Sequence, residues 1–134
     1  MLQRKVFHRS RPLQVLVETD DAALQLCDFN SFAAAGFDVA VCAGPGDGHD
    51  CPAVEGQACD LVDQADVVLN VMQDPTIQRL VVEAVHAGNP EVPMVVSVAP
   101  GFQGDLPEGC VPLSGTVTVA GQTRALRRSA VRAR

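Results

Sequence analysis

Residues 65–75 read ADVVLNVMQDP. The run DVVLNVM within them is short and nearly all apolar, as expected of a strand buried on both faces of a sheet. It stops at Gln73-Asp74-Pro75. Asp74 is placed to cap a helix beginning PTIQRL, and Pro75 suits that helix's first turn. A buried strand running into a capped helix sets Asn70, Val71 and Met72 at the carboxyl rim of a sheet, where open α/β folds place their sites. The side chains on this rim are an amide, an alkyl group and a thioether, and none is a nucleophile.

Outward from this stretch the same pattern repeats. PLQVLVE (12–18) is a buried strand following a proline. In TDDAALQLCDFNSFAAAG (19–36), Thr19 or Asp20 can cap a helix. Ala22, Leu26, Phe29 and Ala33 recur at helical spacing as its apolar face, and Gly36 suits its end. FDVAVCAG is a second strand. Residues 53–64 suit a short helix with Val54, Ala58, Leu61 and Val62 on one face, weakened by Gly56. DVVLNVM is the third strand. The helix after it has Ile77, Leu80, Val81, Ala84 and Val85 as its apolar face and His86 near its C-terminus, where a cation favours the helix dipole. VPMVVSV and CVPLSG are the fourth and fifth strands, and the Gly- and Pro-rich stretch between them is too short for a full helix. The end, TVTVAGQTRALRRSAVRAR, reads either as strand then helix or as one basic helix; Gly121 leaves both open. Valine-rich strands alternating with helices predict a doubly wound α/β domain with a five-stranded parallel sheet.

The chain has 134 residues, 47% of them apolar and 19% charged, which fits one globular domain able to bury its own core. The expected division is a basic tail at 1–12 and a single domain at 13–130, with the basic C-terminal segment starting at about 117. No apolar run approaches the ~20 residues of a membrane span. The N-terminal MLQRKVFHRSRP has no apolar segment of the kind a secretory signal needs, so the expected location is cytoplasmic. All 16 acids lie from Glu18 to Glu108, where Arg79 is the one cation, a net of −15; the other nine cations sit in the tails. An acidic body repels nucleic-acid phosphates, and a chain without Trp or Tyr offers no base-stacking surface. No nucleic-acid or membrane partner is expected.

CAGPGDGHDC (42–51) is glycine-rich, but its spacing matches neither phosphate-loop pattern, and it follows the second strand. The loop after the first strand is ETDD, which would repel a pyrophosphate. Cys42, His49, Cys51 and Cys59 are the candidate metal ligands, and zinc is the ion such a set would take. Their spacings of seven, two and eight lack the tight CxxC knuckle. The competing reading has Cys42 and Cys59 packed in a core and His49 solvated in a loop. Five cysteines in a reducing compartment do not suggest a disulfide framework. A Cys51–Cys59 disulfide would need part of that segment to be loop, because eight helical steps span ~12 Å.

VLVETDDAAL, AAAGFDVAVC, ADVVLNVMQDP and NPEVPMVVSVA together resemble the bacterial response-regulator receiver domain over residues 13–115. The resemblance implies a flavodoxin-like fold with strand order 2-1-3-4-5, its fourth helix here shortened or replaced by a loop. It also implies a phosphoryl-transfer site: an acceptor Asp on the third strand, two acids after the first to hold Mg²⁺, a Ser/Thr after the fourth and a Lys after the fifth. In this chain the acceptor position falls on Val71 or, shifted by one, on Asn70. The acidic pair falls on Thr19 and Asp20, with Asp21 next. The hydroxyl position falls on Val98, beside Ser97, and the lysine position falls near Ser114. The chain's one lysine is Lys5.

The expected function is therefore a pseudo-receiver: a regulatory or protein-interaction domain with no catalytic residue and no cofactor. A remodelled fourth-helix face implies a different protein partner, or a homodimer through another surface. The alternative is a zinc- or redox-responsive sensor built on Cys42, His49, Cys51 and Cys59.

Overall fold

The structure is a computed structural model that describes residues 11–46, 50–102, 104–114 and 118–132. The expected basic tail lies outside them up to residue 10, as does His49. Five strands, β1 (Gln14–Glu18), β2 (Asp38–Cys42), β3 (Val67–Asn70), β4 (Met94–Val98) and β5 (Cys110–Ser114), form one sheet in the order β2-β1-β3-β4-β5. Every pairing is parallel. The helices are α1 (Ala22–Ala34), α2 (Asp60–Gln64), α3 (Pro75–Gly88) and α4 (Val119–Arg132). This is the flavodoxin-like arrangement.

The central strands are buried on both faces, which accounts for their unbroken apolar runs. Alternate residues divide between two cores. Val15, Val17, Val67, Leu69 and Val95 pack with Phe32 of α1 and Leu126 of α4. Leu16, Val68, Met94 and Val96 pack with Val62 of α2 and with Val81, Val82 and Val85 of α3. Hydrogen bonds carry the ladder beyond β1 and β3: Thr19 N donates to Cys42 O at 3.0 Å and Val71 N to Glu18 O at 2.8 Å.

α1 is rotated from the expected face. Leu26 is 67% exposed and Phe29 43%, whereas Phe32 is fully buried and brings Asp28, one turn earlier, in with it. Phe32 wins because its ring meets Phe37 at a centroid distance of 6.1 Å and fills the space between α1, β2 and α4. The cap is Asp21, whose Oδ1 accepts from Ala23 N and Leu24 N; Thr19, expected as a cap along with Asp20, is instead drawn into the β ladder. α3 is turned in a similar way, burying Val82 and exposing Leu80.

The helix expected at 53–64 is confined to 60–64. Residues 52–57 form turns, with Gly56 at a φ of +78° that a helix cannot hold. Val62 is buried there, while Ala58 and Leu61 are exposed. Between β4 and β5 no helix occurs among the described residues. The C-terminal segment is a helix from Val119 that takes Gly121 in its first turn, where Gly121 N donates to Thr118 Oγ1 at 3.0 Å.

Asp74 caps α3 as expected, accepting from Thr76 N at 2.8 Å and Ile77 N at 3.2 Å. Asp74→Ala should lower stability by about 1 kcal/mol in urea denaturation. A change under ~0.3 kcal/mol would mean that Pro75 alone sets the helix start.

Candidate functional site

The carboxyl ends of β1 and β3 lie side by side, with Glu18 opposite Asn70 in register. Both point to the face that also carries Leu16 and Val68, and both are buried. Asn70 Nδ2 donates to Glu18 Oε1 at 3.0 Å. Asn70 Oδ1 accepts from Met72 N at 3.2 Å and from Gln78 Nε2, also at 3.2 Å. Gln78 Nε2 reaches on to Ser97 O at 2.7 Å. One chain of amide bonds thus joins β1, β3, α3 and β4. Burial pushes the Glu18 carboxyl up to about 7, and the bond from Asn70 offsets only part of that rise.

Sequence reasoning missed Glu18, Gln73 and Gln78. The available signal was Glu18 itself: an acid closing the apolar run QVLVE, in phase with Leu16, has to enter the core.

The acids after β1 are each engaged. Asp20 Oδ1 accepts from Gln73 N at 2.8 Å, tying the loop after β1 to the loop after β3. Asp21 is spent on the α1 cap. Thr19 is buried, and its Oγ1 accepts from Asp21 N at 3.3 Å. Val71 lies in the core shared with α1 and α4, on the opposite face from Asn70. A hard divalent ion needs several oxygen ligands at one point. Among the described residues no three His, Cys, Asp or Glu side chains come together to hold a metal. Asp20 and Asp21 each use one carboxylate oxygen in these bonds and Glu18 is buried, so no set of three acids is offered to Mg²⁺ at this rim among the described residues.

Val98, the residue after Ser97, pairs with Ser114 across β4 and β5. They line a cleft of about 420 Å³ with Phe102, Asp105, Leu106 and Cys110. Thr19, Asp20, Asn70 and Val71 thus lie at the ends of β1 and β3, and Val98 and Ser114 at the ends of β4 and β5, with Gln78 bonded to Asn70 and to Ser97 O between them.

Cys42 ends β2 opposite Glu18. Burial pushes its thiol up; the bond its Sγ accepts from Gly44 N at 3.4 Å opposes this, and the Glu18, Cys51 and Cys59 charges add to the rise. Cys51 is buried and Cys59 half-buried, and the charges of both act on Cys42, but no three of the candidate ligands come together to hold a metal among the described residues. All five cysteines are free thiols. The Cys51–Cys59 segment is mostly turn, which removes the helical obstacle to their approach. The loop after Cys42 passes close to the rim: a Cβ at Gly44, whose φ is +72°, would lie 2.6 Å from Met72 Cε.

No protein-family model matches the chain, and no curated protein matches it in sequence. Solved structures do match. A response-regulator receiver domain protein from Clostridium thermocellum has 17% identity and a TM-score of 0.67, covering 90% of this chain and 95% of that one. A CheY-like receiver domain protein from Methanospirillum hungatei has 14% identity and a TM-score of 0.66, covering 91% and 96%. The receiver domain of a sensor histidine kinase from Pseudomonas aeruginosa has 18% identity and a TM-score of 0.66, covering 90% and 98%; that structure has a magnesium ion coordinated in its active-site cleft. The chain has the receiver fold.

Proposed function

We propose that this chain is a pseudo-receiver: a receiver-fold regulatory domain that acts through contact with another protein and takes up no phosphoryl group at its strand edge. One observation carries the reading. Where the fold would present an acceptor carboxylate beside a bound cation, this chain has Val71 turned into a core and Asn70 bonded to a buried Glu18. Phosphoryl transfer depends on positioned charge at the transition state, so an amide and an alkyl group leave nothing to receive the group. The acidic body and the absence, among the described residues, of a helix able to cross a membrane favour a protein as the partner.

The test is incubation with Mg²⁺ and acetyl phosphate, read by intact mass. The mass should stay unchanged over hours. A stoichiometric gain of one phosphoryl group sinks the reading.

A second reading, a zinc- or redox-responsive sensor on Cys42, His49, Cys51 and Cys59, rests on the charges of Cys51 and Cys59 acting on Cys42. Among the described residues, however, no three His, Cys, Asp or Glu side chains come together to hold a metal. Against it, a thiol held protonated by burial is a poorer ligand and nucleophile. About one zinc per purified chain, lost in Cys51→Ser, would decide for the sensor.

A further inference from the structure

We infer that the outer face of α1 is a self-association surface, on which a second copy of this chain docks its own α1 in antiparallel fashion. The inference is independent of whether the rim takes phosphate.

Ala22, Leu26, Phe29 and Ala33, the stripe that reads as a core face, point to solvent instead. Their spacing of four, three and four residues is that of a coiled-coil seam, in which knobs from one helix enter holes on another. The stripe also reads the same in both directions: small, large, large, small. A two-fold axis between Leu26 and Phe29 therefore sets Ala22 against Ala33 of the other copy and Leu26 against its Phe29. That is the self-complementarity an isologous interface requires.

Charge selects the same face. A net of −15 across residues 18–108 makes two copies repel wherever their acids face each other. Among the described residues, α1 alone of the four helices presents no exposed charge, since its one ionisable acid, Asp28, is buried. α2 carries Asp60 and Asp63, α3 exposes Arg79 and Glu83, and α4 exposes Arg124, Arg127 and Arg128.

The seam is short. Thirteen residues make ~20 Å of helix, which puts the contact at the small end of specific interfaces. The association is accordingly weak, with a Kd on the order of 100 µM.

Sedimentation equilibrium from about 10 µM to about 1 mM, a range bracketing that Kd, tests the inference. The average mass should rise from 14.1 kDa towards twice that value. Leu26→Glu should abolish the rise without changing the thermal melt. Leu80→Glu, at an equally large exposed residue on α3, should leave the rise intact. In the double variant Leu26→Glu with Phe29→Lys, each glutamate faces a lysine of the other copy, so association should return. A chain still monomeric at the highest concentration, or a dimer indifferent to Leu26→Glu, overturns the proposal. A double variant that stays monomeric overturns its antiparallel register.

Discussion

Replacing Phe32 with alanine should cost about 3–5 kcal/mol of folding stability. Its side chain is fully buried and lies where α1, β2 and α4 meet. Its truncation removes the ring that packs on Phe37 and leaves a void beside Leu126, Val17 and Leu69. Backbone on three sides prevents collapse into the gap, so the cavity adds to the lost transfer energy. A domain of this size holds about 5–15 kcal/mol in all, so the variant should populate unfolded chains detectably near 37 °C. Urea denaturation measures the loss. Phe29→Ala, three residues earlier on the outer face, is the control and should cost less than ~1 kcal/mol. Equal losses from the two would mean that α1 packs by the face its sequence suggests.

The second large effect is a dependence of stability on pH. The Glu18 carboxyl has its folded value raised from 4.5 to about 7. Between those values the folded chain holds a proton that the unfolded chain has released. Stability is therefore fullest below about pH 4.5 as far as this group is concerned, and falls as pH rises through 7. Two and a half units correspond to about 3 kcal/mol, lost across that window. Asp28, also raised by burial, adds to the fall in the same sense. Urea midpoints measured from pH 5 to pH 8 should drop steadily in the natural chain. In Glu18→Gln the drop should largely vanish, because a neutral amide can still accept from Asn70 Nδ2. A natural chain equally stable at pH 5 and pH 8 would show that Glu18 is ionised in the folded state and that its burial is compensated by groups other than Asn70.

The strands were legible because their constraint is local. A strand buried on both faces must be apolar at every position, and the runs VLV, VVL and MVV carry that requirement whatever surrounds them. The α3 cap was equally legible, since Asp74 bonds backbone groups only two and three residues on. Helix faces were less so. In α1, apolar residues on both sides of the helix left two orientations open, and the fit of Phe32 against Phe37 settled between them. At the rim, the absent acceptor carboxylate could be read residue by residue. What occupies its place could not, because Glu18 meets Asn70 only through the β1–β3 register.

The amino-acid sequence by itself determined the parallel α/β sheet, the helix start at Asp74 and the lack of a reactive carboxylate on the third strand, because each follows from residue types acting over a few positions. The tertiary structure alone decided that Glu18 is a buried, amide-bonded acid, that Asp20 is held by Gln73, and that the apolar stripe of α1 faces outward. Those outcomes depend on which strands pair and which side chain fills a shared space. Such pairings join residues as far apart as Glu18 and Asn70, beyond the reach of any local pattern.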